Sequence, residues 1–251
     1  MQRNVHSLTG YSLDATDGKI GKVEELYFDD QSWTIRYLIV KTGNWLSGRK
    51  VLISPDAIVK TSWEPGTFLV NLTKEQIRNS PDIDTDKPVS RQQEIALYGH
   101  YPWPEYWGSG FYAGGFSVIG NTSPVIDQEI VKEADPADKR SDDDPHLRST
   151  HRVTGYRIHA TDGEIGHVKD FIIDDQNWQI IYLVIDTRHW FGGKKVLMAV
   201  GHIKEIKWDL SEIFVDSTVD SVKNYTAFDE SEFSHQEPFS AAPDNYNIHI
   251  K

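Results

Sequence analysis

The chain has 251 residues, 38% hydrophobic and 25% charged, a balance that suits a globular protein with room for two small cores. It holds no cysteine, which excludes disulfide staples, thiol nucleophiles and cysteine-ligated iron–sulfur or zinc centres and fits a reducing cytoplasm. The formal net charge is −12, divided as about −2 over residues 1–86, −4 over 87–151 and −6 over 152–251, which disfavours sequence-independent binding to nucleic acid or anionic membranes.

The N-terminal Met-Gln-Arg-Asn-Val-His carries no apolar signal core, and no run of ~18 apolar residues occurs, so the expected location is soluble and cytoplasmic. From Leu8 to Asp84 the chain realigns without a gap on Val153 to Asp229, which marks two copies of one unit. Each copy opens with Thr-Gly-Tyr at Thr9 and Thr154 and reaches Ala-Thr-Asp-Gly-x-Ile-Gly at Ala15–Gly21 and Ala160–Gly166. Asp-Gly between short extended segments predicts a type I′ hairpin with positive φ at both central residues. The apolar positions Val23, Leu26 and Phe28, matched by Val168, Phe171 and Ile173, alternate only with an extra residue at Glu24-Glu25 or Lys169-Asp170, a predicted β-bulge.

Asp29-Asp30-Gln31 and Asp174-Asp175-Gln176 read as turns, because Asp bonds its own backbone there, rather than as paired carboxylates for acid–base chemistry or calcium. The next strand puts Trp33, Ile35, Tyr37 and Ile39 on one face, repeated by Trp178, Ile180, Tyr182 and Val184, and this face is expected in the core. Further strands follow at Lys50–Ile53, Ile58–Trp63 and Phe68–Asn71, with counterparts at Lys195–Met198, Ile203–Trp208 and Ile213–Asp216. Thr73-Lys74-Glu75-Gln76 has capping-box spacing and predicts a closing helical turn carrying Ile77. The fold class is all-β: two small barrels in tandem, at 1–86 and 152–230, with an inter-barrel linker at 87–151 and a tail at 231–251 that trails across the surface.

With these motifs located, each unit resembles the PRC-barrel domain family, whose name comes from the cytoplasmic domain of the photosynthetic reaction-centre H subunit. A related barrel forms the C-terminal part of a ribosome-maturation factor. The resemblance implies a protein-docking barrel and carries a link to electron transport only through the family. It transfers no catalytic residue set. The chain departs from the H subunit in lacking its N-terminal transmembrane helix, and from the ribosome factor in having a second barrel.

The linker contains Tyr98-Gly99-His100-Tyr101-Pro102-Trp103-Pro104-Glu105-Tyr106-Trp107, then Phe111, Tyr112 and Phe116. So many aromatics among Pro and Gly predict neither helix nor regular strand, and the apolar area calls for a partner surface. That surface is the chain's own barrel or a symmetry mate, another protein, or stacked bases, the last without the positive groove such binders use. The candidate protein-interface residues are Tyr98, Tyr101, Trp103, Tyr106, Trp107, Phe111 and Tyr112, together with Trp45 beside Arg49-Lys50 and Trp190 beside Lys194-Lys195. Glu133–Asp144, with Asp142-Asp143-Asp144, reads as a hydrated linker.

Of the ten histidines only His6 and His151 correspond between copies. A two-residue turn at Asp162-Gly163 would pair 159 with 166, placing His159 and His167 on opposite faces and excluding a shared metal. No Ser-His-Asp order, phosphate loop or dinucleotide fingerprint occurs, so no catalytic, cofactor or metal residue is assigned. The reading is a non-enzymatic protein-binding adaptor, a homodimer through the aromatic block, able to associate peripherally with a membrane protein complex. An alternative is an accessory factor that docks on a ribosomal or other RNA–protein assembly through a protein contact.

Overall fold

A computed structural model describes residues 1–63, 65–81, 89, 91–101, 103, 146–187, 193–230 and 233. The first half comprises β1 (Gln2–Asn4), α1 (Val5–Leu8), β2 (Ser12–Ala15), β3 (Gly18–Asp29), β4 (Ile35–Thr42), β5 (Lys50–Ile53), β6 (Ile58–Ser62), β7 (Thr67–Val70) and α2 (Lys74–Arg78). A helix α3 (Arg91–His100) follows. The second half repeats the order with β8 (Leu147–Ser149), α4 (Thr150–Val153), β9 (Arg157–Ala160), β10 (Gly163–Asp174), β11 (Gln179–Asp186), β12 (Lys195–Ala199), β13 (Ile203–Lys207), β14 (Glu212–Val215) and α5 (Val219–Lys223).

Two mostly antiparallel sheets result, ordered β5-β4-β3-β2-β7-β6 and β12-β11-β10-β9-β14-β13. The parallel pairs are β2 with β7 and β9 with β14. The seventh strand of each sheet comes from the other half: β8 pairs with β3, and β1 pairs with β10. The expectation of two self-contained barrels is therefore corrected. Leu147–Ser149, assigned to the linker, is a strand, and it was invisible because three residues carry no readable alternation and their partner lies in the other copy.

The bulges fall where the sequence predicts, with register skipping Glu24 between Val23 and Glu25, and Lys169 between Val168 and Asp170. The hairpin is different. Ala15 stands opposite Gly18 and Ala160 opposite Gly163, so the turn residues are Thr16-Asp17 and Thr161-Asp162, and neither aspartate takes a positive φ. The reason is tertiary: Asp17 Oδ1 accepts from the Lys74 amide at 2.9 Å and Asp162 Oδ1 from the Val219 amide at 2.7 Å. Each turn thus caps the first turn of the helix that closes its half. The repeated Ile-Gly also gains a cause, since a Cβ on Gly21 would lie 2.0 Å from the Lys41 carbonyl oxygen and one on Gly166 2.1 Å from that of Asp186. The Thr73/Gln76 capping box forms as expected.

One continuous apolar core runs through both halves, from Leu13, Leu26 and Phe28 to Phe171, Leu183 and Ile185. The face expected inside is buried on β4, where Ile35, Tyr37 and Ile39 join the main core, and divides on β11, where Ile180 joins that core but Tyr182 and Val184 do not. Val184 clusters with Ile172 and Phe233, and Tyr182 packs there too, apart from Leu183 and Ile185 in the main core. Both faces of these strands are apolar because both are covered, so alternation could not tell inside from outside. Tyr98, Gly99 and His100 end α3, against the expectation of no helix in the aromatic block. The seven residues before them contain no Pro or Gly, and the first proline comes at position 102. Phe233, placed in a trailing tail, is 2% exposed. Among the described residues no helix is long and apolar enough to cross a membrane.

Candidate functional site

The joint between the two halves is built twice from equivalent residues. On β1, Arg3 inserts between the two halves: its guanidinium lies 3.7 Å from the centroid of the Trp63 ring and its Nε donates to Asp175 at 3.0 Å. On β8, Arg148 does the same with Trp208 at 4.1 Å and Asp30 at 2.9 Å. A guanidinium fits both tasks, since its flat face meets the ring while its edge donates to the carboxylate. The second aspartate of each Asp-Asp turn therefore holds the exchanged strand, while the first makes the turn: Asp29 Oδ1 accepts from the amides of Gln31 and Ser32, and Asp174 Oδ1 from Gln176. Burial pushes the Asp30 carboxyl above its usual value, outweighing the neighbouring Arg148 charge.

The bulges complete the joint. Asp170, re-aimed by its bulge, accepts from the His6 amide at 3.1 Å, Asn4 Nδ2 at 3.2 Å and the Phe171 amide at 2.8 Å, so it caps the one-turn helix α1 that follows β1. At the equivalent bulge Glu25 accepts from Ser149 Oγ, which itself accepts from the Arg152 amide at 3.2 Å and caps α4. Burial also raises the Asp170 pKa.

At the centre the turn tips bond to each other. The Ile35 amide donates to the Trp178 carbonyl at 2.8 Å and the Ile180 amide to the Trp33 carbonyl at 2.7 Å. Both tryptophans take a positive φ, 55° at Trp33 and 60° at Trp178, an uncommon conformation for a bulky residue. It is held by stacking of Trp33 on Phe28 at 5.2 Å and by packing of Trp178 against Phe68 of the first half at 5.9 Å. Phe28 and Phe171 meet at 5.9 Å. Sequence reasoning missed this joint, although the duplicated Arg at 3 and 148, with His at 6 and 151, was a signal that the repeat began before Leu8.

Beside the joint lies a cleft of roughly 490 Å³ to which both halves contribute equivalent residues, among them His6 and His151, Thr9 and Thr154, and the bulge acids Glu25 and Asp170. Glu24 at its rim is held below the usual carboxylate range by hydrogen bonding to Lys50, with Lys41 also near. Glu24, Glu25 and Asp170 of the cleft are each engaged with protein groups. Among the described residues no group of three His, Asp or Glu converges as metal ligands would.

The outer face of the first sheet carries a separate polar cluster. Glu94 of α3, 0% exposed, accepts from Tyr37 OH at 2.9 Å and pairs with His146 Nε2 at 2.7 Å. Tyr98, Tyr101 and Trp103 surround it, 8%, 2% and 8% exposed, with the last two rings stacked at 4.2 Å. Burial pushes the Tyr98 hydroxyl up to about 12 and raises that of Tyr101 as well. These three candidate interface residues thus cover their own barrel and present no free docking surface, a correction to their assignment. Tyr106, Trp107, Phe111 and Tyr112 lie outside the described residues, as do Trp190 and Asp142-Asp143-Asp144.

Trp45 is half-buried, with Nε1 donating to the Ile20 carbonyl at 2.6 Å. The cations over its ring are Lys74 and Arg78 rather than the adjacent pair, for Arg49 donates to the carbonyls of Ser80 and Pro81 and Lys50 pairs with Glu24. His159 and His167 do not diverge: a bulge at Ile165 sets His167 opposite Arg157, so alternation puts both histidines on one face. His159 stacks on Phe214 at 5.0 Å, and His202 bonds Asp216 at 2.8 Å.

Comparison with known proteins agrees with this architecture. A Deinococcus radiodurans protein described as "Uncharacterized protein" is 28% identical over 92 residues, a match covering 35% of this chain and 33% of that relative's length. The family model described as PRC-barrel domain matches residues 3–77 and again 147–222. Both matches begin with the exchanged strands, at Arg3 and Leu147, and together they span more than half of the chain, which therefore belongs to the PRC-barrel family as a protein with two copies of the domain.

Proposed function

We propose that this protein is a non-enzymatic, protein-binding scaffold in which two PRC barrels act as one block. The observation that carries the reading is the reciprocal joint. Each sheet takes a strand from the other half, and one core runs through both, so the outer surfaces are held at a fixed mutual orientation. A partner that touches both halves then meets a preorganised surface and loses little ordering entropy on binding. The site chemistry supports this, because the buried acids Glu94 and Asp170 are bonded to groups of the fold, Asp170 even where it lines the cleft. A place beside a membrane-bound electron-transport complex is the family's suggestion for the partner.

The test is cross-linking in a native cytoplasmic extract treated with nuclease, with the linked peptides mapped. Links from both halves to one and the same protein are expected. Links confined to one half, or a partner lost on nuclease treatment, would overturn the scaffold reading.

A further inference from the structure

The joint has a property that neither half has alone: each half donates a strand and needs one. Asp170, Asp175 and the edge of β10 form an acceptor for β1 and α1, while Glu25, Asp30 and the edge of β3 form an acceptor for β8 and α4. The donated segments are deeply inserted, with Leu8 and Leu147 both 0% exposed. An acceptor left empty would expose those contacts and a row of unpaired β3 or β10 backbone groups.

These contacts are the same whichever chain supplies the donor. We infer that copies of this protein trade halves, the first half of one chain completing the second half of another and the reverse, to give a dimer with two complete joints. Each unit of that dimer contains every bond of the monomer, so only connectivity separates the two states. The first half with its docked α3 ends at Trp103 and the second begins at His146, which leaves residues 104–145 as the connection. For two modules joined in one chain the effective concentration of closure is on the order of 1 mM. Below it the monomer dominates, and near it the exchanged dimer becomes comparable. The occupant of the acceptor is thus a second copy of this chain, joined by strand exchange rather than through Tyr98, Tyr101 or Trp103. These three are buried.

The natural absence of cysteine makes the test clean. Gln2 and Asp174 are direct cross-strand partners in the exchanged ladder. A chain carrying Gln2→Cys is mixed with a chain carrying Asp174→Cys, unfolded in denaturant, refolded together under reducing conditions and then oxidised. Neither variant can bridge the matched pair within itself, so a disulfide at this site forms only when the N-terminal segment of one copy lies on β10 of the other. The expected result is a disulfide-linked dimer after refolding at about 1 mM, at least roughly tenfold more abundant than after refolding at about 10 µM. A control mixture of Gln2→Cys with Asp209→Cys, whose positions are not paired, sets the background. Light scattering on the wild-type chain refolded at about 1 mM provides a second readout, free of substitutions, and a dimer peak is expected. A strict monomer there overturns the inference, and so does a dimer whose matched pair gives no more disulfide than the control.

Discussion

Arg3 and Arg148 occupy equivalent places and meet equivalent partners, a tryptophan face of their own half and an aspartate of the opposite half. Tyr37 and Tyr182 are matched just as well in sequence, yet their surroundings differ. Tyr37 is buried under α3 and bonded to Glu94, whereas Tyr182 is partly exposed beside Phe228 and Phe233, residues with no relation to α3. The joint has two-fold constraints: a change on one side must still fit an acceptor that the other copy also supplies. The outer faces have none, and each was covered by whatever chain lay nearest. The duplicated unit thus defines the centre of this protein, and the added segments define its periphery.

The sharpest way to break this comparison is at Phe28, which stacks on Trp33 and touches Phe171 across the joint. Phe28→Ala should cost about 3–5 kcal/mol, and calorimetry should still show one transition, because the halves share a core. Two separate transitions would mean that the halves fold independently. Next comes the periphery. Glu94→Ala leaves Tyr37 and His146 without their buried acceptor and should cost about 2–4 kcal/mol. Hydrogen exchange should quicken around β4 and leave β11 unchanged; equal quickening of both would erase the distinction between centre and cover.

Arg3→Ala and Arg148→Ala should each cost about 1–3 kcal/mol in urea unfolding and agree within about 1 kcal/mol. A larger disparity would show that the two sides of the joint are equivalent in geometry only. Smaller again is the loss of a turn cap: Asp17→Ala and Asp162→Ala should each cost about 1 kcal/mol, seen as a modest fall in Tm.

The smallest expected effect is on pH dependence. Asp170 and Asp30 have folded pKa values raised above the ordinary 3.8 by burial, so the native state holds their protons more tightly than the unfolded chain does. Their contribution to stability therefore falls as pH rises from 3.8 through the raised values. Glu24, lowered by Lys50, acts the other way, contributing above the ordinary 4.5 and losing that contribution as pH falls below it. Urea midpoints measured across this range for wild type and Asp170→Asn should show a shallower loss with rising pH in the variant. An unchanged slope would remove Asp170 from the account.

Much of the scaffold was legible. The bulges at Glu24 and Lys169 followed from a break in alternation, and the capping box at Thr73 from its spacing, because both are local signals. The hairpin was misread where a local rule met a distant demand, for Asp17 and Asp162 are set by the helices they cap. Of the aromatic block, Tyr98, Tyr101 and Trp103 were rightly expected to need a surface, and that surface proved to be their own barrel. The joint itself went unread. A three-residue strand gives no period, and Arg3 and Arg148 gain meaning only beside Trp63 and Trp208.

By itself the sequence determined the duplicated β unit, its turns and its bulges, since repetition and short-range periodicity are written along the chain. Only the tertiary structure decided which half each first strand completes and what covers each face of β4 and β11. Those choices depend on contacts between residues about 170 positions apart for β1 with β10 and about 120 for β8 with β3, separations over which no pattern along the chain can be read.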